Sequence, residues 1–282
     1  MIIVNLRGGL GNQLFQHATA RALSLNSGVP FKIDTSWFDL DVPAHLGYAL
    51  NHFALETEKA TPEEIQQARN APLLDLSIQN QLGAQADGHT ILKPDMGARA
   101  CVRSTVWMCG YWQSESYFAH AADAVRHDFR FKVPAEIHSR PAFDRITGVN
   151  AVSVHFRRGD YSAFPDIGIC TPDYYERAVD RIAELAGNIH LFVFSDEPDW
   201  VRENFRPRFP TTFVAGHGIA YAYRDMQLMS LCRHHIIANS SFSWWGAWLS
   251  TNPDKQVVAP ARWFANSPID LGHVVPAAWH RL

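Results

Sequence analysis

Ile2-Ile3-Val4-Asn5-Leu6 runs straight into Arg7-Gly8-Gly9-Leu10-Gly11-Asn12-Gln13, and this junction decides the fold class. The first five residues, apolar but for one asparagine, read as a buried strand. Beyond the glycines, Leu14, Phe15, Ala18, Ala22 and Leu25 recur at helical spacing and make one apolar face. Gly28 followed by Pro30 stops that helix, and Val29 to Asp34 reads as a second strand. Strand, glycine loop, helix, strand is one βαβ unit, which brings its two strands side by side and parallel.

The loop itself has the spacing GGxG rather than GxGxxG or the P-loop, so as a nucleotide motif it is weak. Its physical content is firmer. Glycines let the backbone approach a ligand closely, and a helix start offers free N–H groups. Gly11, Asn12 and Gln13 are therefore candidate ligand residues; the plain alternative is a tight turn with polar residues at a helix start.

Outward from this unit, Thr61-Pro62-Glu63-Glu64 is a capping box with proline at the first helical position, which predicts a helix to about Arg69. Asn80 to Ala98 reads as loop. Val102 to Trp112 reads as a strand, and Ser114 to Phe129 as a helix with Tyr117, Phe118, Ala121, Ala124 and Val125 on one side. Pro134 and Pro141 mark a break, and the chain divides into residues 1–147 and 148–282. The second half repeats the rhythm. Strands are read over 149–156, 189–195, 211–215, 236–238 and 257–259, with helices from Thr171-Pro172 to Gly187, from Asp199 to Phe205 and from Tyr223 to Arg233. Such alternation predicts parallel sheets covered on both faces, with ligands beyond the carboxyl ends of strands.

Composition sets the outer limits. Apolar residues are 47% and charged residues 19% of 282, enough for a large core and against global disorder. The formal charge of −3 gives no electrostatic case for nucleic acid. Cys101, Cys109, Cys170 and Cys232 show no CxxC or metal spacing and read as reduced thiols of a cytoplasmic protein. The start is too soon interrupted to be a signal peptide, and no run approaches the ~18 apolar residues of a membrane span. Membrane contact is then at most peripheral, at the inner face.

Chemistry concentrates in Val152-Ser153-Val154-His155-Phe156-Arg157-Arg158-Gly159-Asp160-Tyr161. It begins as a strand and ends in a turn signal, so it delivers one histidine, two arginines and an aspartate to the lip of a sheet. Adjacent guanidiniums suit a phosphate or pyrophosphate; a structural Arg–Asp network is the alternative. Asp196 and Asn239 lie at other strand ends. Asn239-Ser240-Ser241-Phe242-Ser243-Trp244-Trp245-Gly246 places hydroxyls where a helix begins, an anion site by its chemistry, whereas simple N-capping needs one serine. The tryptophans are core or a sugar platform. Asp225 suits a helix first turn, and a carboxylate there could also accept guanine N1–H and N2–H₂ together. His234-His235 cannot converge on one metal from a strand, because successive side chains alternate faces. There is no nucleophile elbow and no Walker motif. The expectation is a site that needs no metal and no cofactor, with arginine and helix N-termini in place of Mg²⁺.

His155-Phe156-Arg157-Arg158-Gly159-Asp160-Tyr161 resembles the H-x-R-R-G-D-Y motif of the bacterial α-1,2-fucosyltransferases of glycosyltransferase family 11. Gly8-Gly9-Leu10-Gly11-Asn12-Gln13-Leu14-Phe15-Gln16 and Asn239 to Gly246 are similar to that family too, in the same order. The resemblance implies an α/β fold of GT-B-like type, two Rossmann-type domains with parallel sheets facing a cleft, GDP-fucose bound by the C-terminal one and acceptor on the other. It implies transfer of L-fucose, with inversion, to the 2-hydroxyl of a β-galactoside, and partners in GDP-fucose and a galactose-containing acceptor glycan such as an O-antigen. It further implies Arg157 on the β-phosphate, His155 and Asp225 near the guanine, Ser240, Ser241 and Phe242 around the diphosphate, and Asn12 beside the fucose. Where related α-1,6 enzymes carry a candidate catalytic carboxylate, this chain has Pro165 beside Asp166, so Asp160 and Asp166 both stand as candidates for the base. A transferase of different donor or linkage and a non-catalytic sugar-nucleotide-binding protein are the rival readings.

Overall fold

The computed structural model describes residues 1–40, 47–70, 105–163, 166–265 and 273–282. The readings at Asn80 to Ala98, Cys101 and Pro165 lie outside them. The chain forms two compact units, Met1–Lys132 and Val133–Leu282.

In the first unit, β1 (Ile2–Asn5) is wholly buried, α1 (Leu10–Ser27) follows the glycine loop, and β2 (Phe31–Asp34) pairs parallel to β1. Gly28 ends α1 in the left-handed conformation, φ 66°, with its N–H on the Ser24 carbonyl. Leu14, Phe15, Ala18 and Ala22 are fully buried, but Leu25 is 48% exposed. An 18-residue helix is about 27 Å long, and a four-residue strand beneath it about 13 Å, so the last turn overruns the sheet. The capping box forms as read. The Thr61 hydroxyl accepts the Glu64 N–H at 3.2 Å and Glu64 Oε2 accepts the Thr61 N–H at 2.8 Å, starting α2 (Pro62–Asn70). β3 (Val106–Met108) joins on the other side of β1, giving the parallel order β2-β1-β3. The long helix expected over 114–129 is instead two 3-10 turns leading into α3 (Ala122–Asp128). The Ser114 hydroxyl takes the Ser116 N–H, a local bond that competes with helix continuation.

The second unit begins before residue 148. α4 (Ala135–His138) and α5 (Arg140–Thr147) bury Ala135 and Ile146 with Ala151, Phe192, Phe194 and Leu228 of that unit's core. β4 (Ala151–Phe156) has all six residues buried. It is followed by α6 (Pro172–Ala186), β5 (His190–Ser195), α7 (Pro198–Asn204), β6 (Thr211–Phe213), α8 (Ala222–Leu231), β7 (His234–Ile236), α9 (Ser241–Leu249), β8 (Val257–Ala259) and β9 (His280–Arg281). All pairings are parallel, in the order β6-β5-β4-β7-β8-β9. Phe156 stacks on Tyr175 at 3.7 Å in the core. Trp244, Trp245 and Trp248 are buried, with Trp244 Nε1 donating to the Val274 carbonyl, so they are core rather than a sugar platform. His235 bonds Ser153 while His234 accepts the Gln256 N–H, so the pair diverges as strand alternation requires. Among the described residues no helix is long and apolar enough to cross a membrane.

Candidate functional site

The strand order places the site. From β4 the sheet continues one way through β5 and β6 and the other way through β7, β8 and β9, so the β4/β7 edge is the topological switch point, where carboxyl-end loops part and leave a crevice. The loops after β4, β5 and β7 carry Arg157, Asp196 and Ser240.

Arg157 is the centre of this cluster. Its NH2 lies 2.9 Å from Asp160 Oδ1, its NH1 3.3 Å from Asp196 Oδ2, and its guanidinium 5.5 Å from the centre of the Tyr161 ring. Tyr161 spans the switch point. Its hydroxyl donates to the Asn239 carbonyl at 3.3 Å, and burial pushes its pKa up to about 12, so it stays a phenol. Tyr161 closed the quoted motif but had been given no role; a phenol so placed was visible in the sequence, its partner was not.

Asp196 organises the turn. Its carboxylate accepts the backbone N–H of Arg158 at 3.1 Å and of Gly159 at 3.1 Å. Burial pushes its pKa up, against the pull of Arg157 and the Arg158 N–H. A Cβ on Gly159 would lie 3.0 Å from Asp196 Oδ2, so the carboxylate's approach leaves little room for a side chain there.

Arg158 does not join Arg157 as a second phosphate ligand. Its Nε is held by Glu197 at 3.0 Å and its guanidinium stacks 3.4 Å over Trp200. The chain turns at this point, so neighbouring side chains part, and the expected twin guanidiniums reduce to one. Glu197 and Trp200 carried no signal in the sequence that would have revealed this.

His155 is buried, its ring 5.5 Å from that of Phe242. Burial first, then the Arg157 charge, lower its pKa to about 3. It is therefore neutral near pH 7 and can serve only as a neutral neighbour of a ligand. Its Nδ1 has no hydrogen-bond partner among the described residues. Asp166 is exposed and makes no ion pair with Arg157, so the structure does not bring it to the cluster as it does Asp160.

The serine run divides. Ser240 is buried and caps α9, its hydroxyl accepting the Phe242 N–H at 3.3 Å. Ser241 and Phe242 are half-buried in the first turn. Asn239 turns inward, its amide donating to the carbonyls of Ile167, Gly168 and Trp263 at 3.1, 3.1 and 3.0 Å. Expected on a ligand, Asn239 is a staple for two loops. Asp225 sits in the first turn of α8 and receives His217 Nδ1 at 2.6 Å.

In the first unit the loop is equally divided. Gly8 has φ 71°, and a Cβ there would meet Asn12 Nδ2 at 2.9 Å. Gln13, also expected on a ligand, is fully buried. Its Nε2 donates to the Gly8 and Gly47 carbonyls at 2.9 Å each, and its Oε1 accepts the Ala49 N–H. Gly11 is buried within α1. Asn12, half-buried in the first turn of α1, accepts from Gln113 at 2.8 Å. Among the described residues no three His, Cys, Asp or Glu side chains converge as a metal site.

A parallel α/β chain with a guanidinium held at a sheet's switch point, beside a hydroxyl-capped helix start, has the build of a protein that binds phosphorylated ligands. The chain belongs to glycosyl transferase family 11, which it matches over residues 1–269. It is 31% identical to an α-1,2-colitosyltransferase of Escherichia coli, over 100% of this chain and 99% of that one. It is 32% identical to the O-antigen biosynthesis glycosyltransferase WbnK of Escherichia coli, over 93% and 94%. Its fold is similar to that of the fucosyltransferase NodZ from Bradyrhizobium, with TM-score 0.51 and 18% identity over 87% and 92% of the two chains. The fold is thus α/β of GT-B-like class, with parallel sheets.

Proposed function

We propose that this glycosyltransferase moves L-fucose, or its 3-deoxy relative colitose, from a GDP-sugar to the 2-hydroxyl of a β-galactoside in a surface glycan, with inversion. The observation that carries the reading is the clamped Arg157 at the switch point. The bond from C1 to the β-phosphate oxygen breaks as the acceptor oxygen forms its bond from the opposite face, and the acceptor's hydroxyl proton leaves. Negative charge grows on the β-phosphate, where a preorganised guanidinium is worth most. Asp196 and the Tyr161 ring fix that guanidinium in advance, so little reorganisation is left for the reaction.

Asp160 we assign to holding Arg157 until a phosphate replaces it, since both compete for the same N–H groups. Asp166, exposed on the loop after β4 and outside the Arg157 cluster until an acceptor binds, is then the carboxylate left for the acceptor's proton. Ser240, Ser241 and Phe242 line the diphosphate from α9, and His155 and Asp225 lie toward the base. Colitose is a second donor reading because the E. coli relative named for it aligns over the whole chain.

The test is GDP release from GDP-fucose and GDP-colitose with a panel of galactosides, with and without EDTA, and the product linkage by NMR. An α-1,2 product at undiminished rate in EDTA supports the reading. Strict Mg²⁺ dependence refutes the arginine clamp, use of UDP-sugars refutes the guanine assignment, and binding of GDP without turnover makes the protein a binding module.

A further inference from the structure

One chain of hydrogen bonds in the second unit runs behind Asp225, through residues given no part in the reaction outlined above. His217 Nδ1 lies 2.6 Å from Asp225 Oδ1, and His217 Nε2 lies 2.8 Å from the Ser139 hydroxyl. The same hydroxyl lies 2.8 Å from His138 Nδ1, and His138 Nε2 lies 2.7 Å from Gln227 Oε1. Gln227 Nε2 closes the chain on the Val133 carbonyl at 3.0 Å. The relay thus ties α8, which carries Asp225 and Gln227, to the segment that opens the unit.

Its ends fix its protons. The Val133 carbonyl can only accept, so the Gln227 amide must turn its oxygen to His138, whose Nε2 then carries a hydrogen. An ionised Asp225 can only accept, so His217 Nδ1 carries one too. With both rings neutral, His217 Nε2 and His138 Nδ1 would be bare acceptors, and the single Ser139 hydrogen between them could serve only one. The other contact would set two lone pairs against each other at 2.8 Å. Every bond is made only if the relay holds one further proton. Then His217 Nε2–H donates to Ser139, and Ser139 donates to His138 Nδ1.

That proton has a preferred seat. Burial is the largest effect against a cation on His138, the Gln227 hydrogen bond favours it, Arg224 and His217 oppose it, and Glu136 favours it least, so that the balance lies against it. The Tyr223 ring packs 6.1 Å from that of His138 and brings no charge. His217 faces the Asp225 carboxylate directly. Asp225 Oδ2 has no hydrogen-bond partner among the described residues, and it faces Gly216, where even an added Cβ would remain 4.0 Å away.

We infer that His138, Ser139 and His217 form a relay carrying one proton more than its neutral state, and that His217 is a positioning residue holding Asp225 oriented with Oδ2 left for the donor's base. The inference rests on the assignment of Asp225 to base recognition. It makes nucleotide affinity pH dependent: loss of the relay proton removes the cation beside Asp225 and one bond of the chain.

Ring ¹⁵N NMR of the full chain at pH 7.5, with GDP titration calorimetry from pH 6 to 9, tests it. Both His217 nitrogens should carry protons in the wild type. Ser139→Ala frees the two rings from conflict, so His217 should carry one proton. GDP should bind about tenfold more weakly to Ser139→Ala and to His217→Gln, the size of one charge-assisted hydrogen bond. Weakening toward high pH in the wild type should be absent in His217→Gln, which a merely structural role would not produce. A singly protonated His217 in the wild type overturns the relay, as does wild-type GDP affinity in both variants across that range. If Asp225→Asn binds GDP normally while wild-type His217 is doubly protonated, the base assignment falls and the proton count stands.

Discussion

Replacing Arg157 by lysine keeps the charge and removes the fork. In the structure two different guanidinium nitrogens reach Asp160 at 2.9 Å and Asp196 at 3.3 Å, with the Tyr161 ring at 5.5 Å. A single ammonium on a flexible stem cannot hold both carboxylates, and it does not stack on the ring as a plane. The first consequence is loss of alignment. The second is loss of at least one donor to the β-phosphate where charge develops, worth ~10²–10³ in rate, or about 2.7–4 kcal/mol. Asp196, whose pKa burial already raises, also loses the fixed close contact with the guanidinium and should gain a proton more easily. We expect kcat/KM for the GDP-sugar to fall ~10²–10³-fold in Arg157→Lys, nearly as far as in Arg157→Ala. GDP release at saturating acceptor, with the melting temperature measured alongside, is the assay. A folded Arg157→Lys protein within fivefold of wild type would refute the leaving-group role.

Three further outcomes follow from other parts of the structure. Asp160→Asn removes the competitor for Arg157, so kcat should stay within about tenfold and the shape of its pH profile should not change, the group not being the base; a ~10³-fold fall with an altered acid limb would make Asp160 the base. Asn239→Ala leaves the Ile167, Gly168 and Trp263 carbonyls without their donor. That should cost about 1–3 kcal/mol, or roughly 3–10 °C in thermal midpoint, and an unchanged midpoint would count against the staple. Acid should destabilise the fold through buried neutral histidines. His17 and His155 are lowered from 6.5 to about 3, and His235 well below 6.5, chiefly by burial. Between pH 6.5 and 3 the unfolded chain binds protons these rings refuse, so stability is full above 6.5 and falls on acidification. The slope is about 1.4 kcal/mol per pH unit for each histidine once well below its unfolded pKa. Urea midpoints from pH 7 to 5 should fall, with a smaller slope in His155→Gln; a flat profile contradicts the burial.

Most of the strands and helices, their parallel pairing, the capping box at Thr61 and the stop at Gly28 were legible in the chain, because each rests on periodicity or on neighbours within a few positions; the short helices α4 and α5 and the strand β9 were not. So was the delivery of Arg157 to a strand end. The direction of each polar side chain was not. Gln13 turns to Gly47, 34 residues on, and Asn239 to Ile167, 72 residues back. Arg158 turns to Glu197, and His217 meets Ser139 at a separation of 78. Asparagine, glutamine or arginine beside a strand end serves a ligand or a distant backbone equally well, and local sequence cannot tell which. The sequence by itself determined which polar groups reach the sheet's edge. Only the tertiary structure decided which are spent on the protein's own carbonyls and carboxylates, because buried polar groups must find partners and those partners are brought in by the fold.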